Sequence, residues 1–192
     1  TMRLLRKCRL NIALTIQLFS QLFHFVNAYL FNWLVSPSAT TYCSTAFGVR
    51  LKTRLHTIND WAEKQGLELA AMCHMDRIQQ AVTLLTTPKR RDQISNLGAT
   101  SYKLNSLQVR YLLEHMVLDV GEEPIDQDLI DAVVRLSERL ADEMARQDGT
   151  GIQLDEQLTL QLPFLLPQDG YLIETLCGVP EPISEYIAIL QS

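Results

Sequence analysis

The sequence predicts an all-α fold: a multi-helix bundle around one long central amphipathic helix, with an extended C-terminal segment. Three observations predict it. Leu10 to Val35, which lies in the longest uncharged run, is also the most aromatic stretch of the chain. Four further segments repeat apolar residues at steps of three and four, the spacing of one helical face. Beyond Gly151 that spacing gives way to alternating leucines and then to Pro163, Pro167, Pro180 and Pro182, which do not continue a helix.

The central run has the outline of a membrane span, since Arg3, Arg6, Lys7 and Arg9 precede a stretch without Asp, Glu, Lys or Arg. At about 100° per residue, however, Ile12, Ile16, Phe19, Phe23, Val26, Leu30 and Trp33 fall on one side, and Gln17, Ser20, Gln21, His24 and Asn27 on the other. In a bilayer each unpaired polar side chain of that stripe would cost roughly a few kcal/mol, whereas a bundle offers partners. The run is therefore expected as a central helix of a bundle and not as a transmembrane segment, with Phe23 on its buried side.

The first helix is expected to stop at Ser36-Pro37-Ser38, because proline disfavours the helical conformation of the residue before it. Phe47, Leu51, Leu55, Ile58 and Trp61 or Ala62 mark the next helix, ended by Gly66, a left-handed terminator. Leu67, Leu69 and Met72 lead into a third, carried by Met75, Ile78, Val82 and Leu85 and stopped by Pro88, and Lys89-Arg90-Arg91 caps a polar loop. Asn105 or Ser106 starts a short fourth helix with Leu107, Tyr111 or Leu112, and Met116. Pro124 and Asp126 announce the fifth, whose Leu129, Val133, Leu136, Leu140 and Met144 keep helical spacing until Asp148-Gly149. The organisation that follows is a helical domain over residues 1–151 and a tail over 152–192 that packs back on the helices near the central one. Leu158, Leu160 and Leu162 turn to one side there, Phe164 to Leu166 fill a notch, and a short terminal helix is allowed near Ser184 to Leu190.

Charge and chemistry narrow the function classes. A net charge of −5 and a pI near 5.3 give no overall drive toward nucleic acid or anionic membranes. The four cysteines, Cys8, Cys43, Cys73 and Cys177, are far apart without a CxxC, as expected of reduced thiols in a cytosolic setting. The histidines His24, His56, His74 and His115 form no HExxH, and no GxSxG, Walker A or GxGxxG occurs. Adjacent Cys73 and His74 point about 100° apart on a helix, which reads as a core thiol beside a surface histidine. His24 lies in the polar stripe and reads as a hydrogen-bonded structural residue. No catalytic residue, metal site or cofactor is predicted. Arg50, Lys52 and Arg54, with Lys89, Arg90 and Arg91, read as solvated charges and otherwise as a surface for acidic segments or phosphoinositide headgroups. The chain begins at Thr1 and enters a basic helix start directly, as an excerpt of a longer protein would.

Four blocks carry a resemblance. TIQLFSQLFHFVNAYLFNWLV, INDWAEKQGLELAA, TSYKLNSLQVRYLL and LQLPFLLPQDGY, in that order, resemble the dilute (DIL) domain in the form found in afadin, and more distantly the cargo-binding tail of class V myosins. The resemblance implies a non-catalytic, all-helical protein-interaction module of a scaffold linking cell–cell adhesion to the actin cytoskeleton at adherens junctions. It implies junctional or cytoskeletal protein partners. Small GTPases, nectins and actin are contacted in such proteins through Ras-association, forkhead-associated and PDZ modules absent from this chain. The alternative it implies is a cargo adaptor of a myosin-like motor tail. Partner-binding residues do not transfer.

Overall fold

The computed structural model describes residues 2–37, 42–147 and 151–156. The chain divides into a compact unit, Thr1–Leu160, and a second, Gln161–Ser192; everything below concerns the first. Leu158, Leu160, Leu162, Phe164 and the terminal helix lie outside the described residues, as does Cys177. The helices are α1 (Met2–Lys7), α2 (Ile12–Leu34), α3 (Thr45–Gln65), α4 (Glu68–His74), α5 (Asp76–Thr86), α6 (Ile94–Ala99), α7 (Ser106–Glu114), α8 (Gln127–Leu140) and α9 (Glu143–Gln147). Among the described residues there is no strand, only a parallel bridge between Ser44 and Val117, and no helix long and apolar enough to cross a membrane.

Local chemistry sets the boundaries. The Asn11 side chain accepts the Ala13 amide to start α2, Ser44 accepts the Phe47 amide to start α3, and Asp126 accepts the Asp128 amide to start α8. Gly66 ends α3 at φ 73°, the left-handed conformation that glycine adopts without strain. Asn105 and Gln108 close a capping box on α7, each side chain accepting the other's backbone amide.

α2 packs on α4 and α5, α3 on α4 and α5, and α8 on α6 and α7. The core between them holds Phe31, Leu34, Met75, Ile78, Leu84, Leu85, Leu97, Leu104, Leu112 and Val133, all buried. Phe23 is 4 % exposed, as expected.

The buried face of α2, however, is rotated from the one the apolar spacing suggests. Ile12 is 76 % exposed and Ile16 is also exposed, while Ser20 and Asn27 of the expected polar stripe are buried. The reason is a hydrogen bond. Met75 caps α5 with no side-chain bond, so the Ile78 amide in its first turn lacks an intrahelical acceptor. Asn27 Oδ1 reaches across from α2 and accepts it at 2.9 Å, which draws that edge of α2 inward.

Three expected boundaries are corrected. The lead-in to the expected third helix is a helix of its own, α4, separated from α5 at the fully buried Met75 with φ −116° and ψ 13°. The polar loop after Pro88 contains α6, whose Leu97 is buried and whose Gly98 lies against Leu136 of α8. The expected fifth helix breaks at Ala141, with ψ 135°, because the Asp142 carboxylate caps α9 by accepting the Ala145 amide at 2.8 Å.

Candidate protein-interaction surfaces

Residues 151–156 cross from the start of α7 to α2 as a non-helical segment held by side chains. Asn105 Nδ2 donates to the Gly151 carbonyl at 2.9 Å, and Gln108 Nε2 to the Ile152 carbonyl at 3.1 Å. On α2, Asn32 Oδ1 accepts the Leu154 amide at 2.7 Å, and its Nδ2 donates back to the Leu154 carbonyl at 2.8 Å. That two-way bond is the pairing one strand makes with its neighbour, supplied here by a side-chain amide. His24 Nε2 lies 2.8 Å from the Asp155 carbonyl. Asn32 Nδ2 also donates to Glu156 Oε1 at 3.2 Å. Ile152 and Leu154 pack against the core, while Gln153, Asp155 and Glu156 face solvent. Four side chains thus hold five backbone groups of one short segment.

A second surface runs along the outside of α2. Leu18, Leu22, Phe25 and Tyr29 follow helical spacing and are 37 %, 44 %, 48 % and 52 % exposed. The rings of Phe25 and Tyr29 stack with centroids 5.7 Å apart. No charged side chain interrupts this row.

The remaining candidates fall into structural places. His24 is the hydrogen-bonded residue expected. His56 pairs with Asp60 at 3.6 Å on the exposed side of α3, and His115 stacks on Tyr111 with centroids 3.9 Å apart. His74 is half-buried, and burial, aided by nearby His24 and opposed by Asp76, lowers its pKa. Cys73 is exposed, which corrects the expectation of a core thiol there. Among the described residues the buried thiol is Cys43, whose pKa burial pushes up to about 12. An open cleft of about 520 Å³ between α3 and α5 is lined by Val49, Lys52, Thr53, His56, Asn59 and Gln79 among others, with no thiol or carboxylate. Among the described residues no three metal-ligating side chains converge.

The basic groups separate as well. Arg50, Lys52 and Arg54 are exposed on α3, and Arg91 pairs with Asp126 at 2.8 Å. Lys89 is not a solvated charge. It turns inward and donates to the Leu85 and Thr87 carbonyls at 2.6 and 2.7 Å, closing the end of α5. Burial lowers its pKa to about 8 against the opposing pull of Glu122 and Cys43.

The profile of the DIL domain matches residues 17–120, from the first third of α2 to the turn after α7. The chain belongs to the DIL domain family. Human Ras-interacting protein 1 is 29 % identical over 127 residues, covering 64 % of this chain and 13 % of that protein, and its mouse counterpart matches to the same extent. This chain therefore spans about an eighth of the curated relatives it matches. Among solved structures, a myosin V cargo binding domain superposes with a TM-score of 0.67 and 18 % identity over 97 % of this chain and 48 % of that one. Myo2-GTD in complex with Smy1 gives 0.70 and 16 % over 98 % and 49 %. This DIL domain shares its fold with half of a myosin cargo-binding domain. Sequence reasoning expected the chain from Ile152 to pack back near the central helix, but it did not identify the side chains that hold residues 151–156 there and it missed the exposed row of α2. Asn105 and Gln108 read in the sequence as a helix start and Asn32 carries no motif, so none of them pointed to the segment they hold, and the exposed row of α2 could be found only once its buried face was known.

Proposed function

We propose that this DIL domain is a non-catalytic protein-interaction module of a scaffold that links cell–cell adhesion to the actin cytoskeleton at adherens junctions, on the cytoplasmic side of the membrane. Family membership carries the interaction-module part of this reading. It is supported by a relative whose name describes a Ras-interacting protein, and by neighbours of the same fold solved in complex with the proteins Smy1 and Inp2. The four-block likeness to the afadin form supports the junctional setting over a motor. Its partners are other proteins, junctional or cytoskeletal; small GTPases, nectins and actin belong to modules outside these residues. The Cys43 thiol, which feels Lys89, is held protonated by burial and suits packing, not nucleophilic attack.

A second reading, a cargo adaptor of a motor tail, is favoured by one observation, the TM-score of 0.70 over 98 % of the chain. Proximity labelling from the chain fused to a biotin ligase in junction-forming epithelial cells separates the two. Enrichment of junctional and actin-associated proteins is expected. Enrichment of vesicle proteins in their place would move the assignment to the motor tail, and labelling no different from free ligase would end both.

A further inference from the structure

The segment 151–156 sits on α7 and α2 in the manner of a bound peptide. Four of its receptor side chains address backbone atoms, so they accept any sequence that lies extended, and only Ile152 and Leu154 present apolar side chains to the core. The receptor is organised without it. Asn105 and Gln108 are fixed by their capping box through their oxygens, which leaves both amide NH2 groups aimed at the groove. Asn105 is 4 % exposed and Gln108 fully buried. Those figures hold with residues 151–156 in place, so an occupant that offers carbonyl oxygens takes up donors that water would otherwise hydrate.

We propose that this groove is a docking site for an extended segment of a partner protein, and that residues 151–156 occupy it in cis as a competitor. This rests on the interaction-module reading above. The chemistry of the groove defines the partner: an apolar residue, any residue, a second apolar residue, and a carboxylate or amide two positions later. These correspond to Ile152, Leu154 and Glu156, the last accepting from Asn32. Recognition is strand-like, with main-chain bonds supplying affinity and the alternate side chains supplying specificity. Because the cis segment acts at an effective concentration on the order of millimolar, it masks the site from ligands of ordinary affinity until a stronger partner displaces it.

The test uses the full 192-residue chain and a dye-labelled synthetic peptide of residues 150–158, read by fluorescence anisotropy. A chain with Ile152→Ser and Leu154→Ser should bind the peptide roughly tenfold or more tighter than the parent. The peptide with both apolar residues changed to serine should not bind. Asn32→Asp added to the loosened chain, which replaces the donor to the Leu154 carbonyl with an acceptor, should abolish binding while circular dichroism stays unchanged. Equal affinity for parent and loosened chain, or no binding by a loosened chain that is folded, would overturn the proposal. Should that variant not fold, hydrogen exchange at the Leu154 amide of the parent decides: excess peptide should speed it, and unchanged protection refutes displacement. Such a failure would leave the set of proximity-labelled proteins as it was, whereas failure of the interaction reading would empty that set.

Discussion

Replacing Asn27 tests the account of the buried face of α2. Asn27 is 3 % exposed, and its Oδ1 is the acceptor for the Ile78 amide at 2.9 Å, standing in for the cap that Met75 cannot provide. Loss of a helix cap costs about 0.5–2 kcal/mol, and a buried donor left without a partner about 1–3 kcal/mol. Both figures describe the same amide, so they are not summed. Asn27→Leu fills most of the space without an acceptor and should therefore lose about 2 kcal/mol. For a unit of this size that lowers Tm by roughly 4–8 °C. Calorimetry gives the stability, and hydrogen exchange at Ile78 gives the site, where protection should fall more than at Leu84, in the last turn of the same helix. Asn27→Ala should lose more, because a small void joins the missing bond. A leucine variant that melts with the parent, or above it, would refute the reasoning: the bond would then be incidental and packing alone would set the face.

Phe23→Ala, at a position 4 % exposed, should cost roughly 3–5 kcal/mol in urea unfolding; an unchanged midpoint would make α2 peripheral. Gly98→Ala should lose about 1–3 kcal/mol, since the new Cβ would lie 2.6 Å from Leu136 Cγ and Cδ2, and adding Leu136→Ala should recover part of the loss. Cys8 and Cys73 should react with a thiol reagent at neutral pH in the native chain, and Cys43 only on unfolding, as mass spectrometry of labelled peptides would read. Lys89, held at about 8 by burial, binds fewer protons folded than unfolded above that pH. Stability should therefore rise from pH 8 to 9 by up to about 1 kcal/mol. The rise should fade above 9, where the unfolded Cys43 thiol ionises and the folded one, at about 12, does not. Lys89→Gln should flatten the rise, and a parent whose stability falls from pH 8 to 9 would contradict the assignment.

Much of the fold was legible in the residues because the relevant signals are local. Pro37 and Gly66 ended helices where expected, and Asn105 and Asp126 started them. The misses share a physical origin in contacts between residues distant in sequence. The break at Met75 has no proline or glycine to announce it, and the acceptor that relieves it sits on α2. The same bond takes the Asn27 edge of α2 into the core against the hydrophobic spacing, while Ile12, at the start of the helix, lies in solvent. α6 is one turn and a half whose buried anchor, Leu97, lies among polar neighbours and is too short for periodicity to register. At Asp142 the opposite happened: a local signal, an acidic cap four residues before Arg146, was overrun by the longer pattern of α8. The groove was legible only in part. His24 could be read as a hydrogen-bonded residue, but Asn32 and Gln108 look like any amide on a helix until the segment they hold is placed beside them.

The uncharged outer row of α2 also bears on kinetics. Leu18 to Tyr29 presents four exposed apolar side chains with no ionised group between them, so the row itself adds no charge to orient an approaching molecule. A contact made there forms at the unassisted rate of about 10⁵–10⁷ M⁻¹s⁻¹ and shows little dependence on ionic strength. Its lifetime, set by how much of the Phe25 and Tyr29 stack is covered, then decides its affinity. The strand-like groove differs in this respect as well, since its occupant waits on the departure of residues 151–156, and exchange there would saturate at the rate at which that segment lifts.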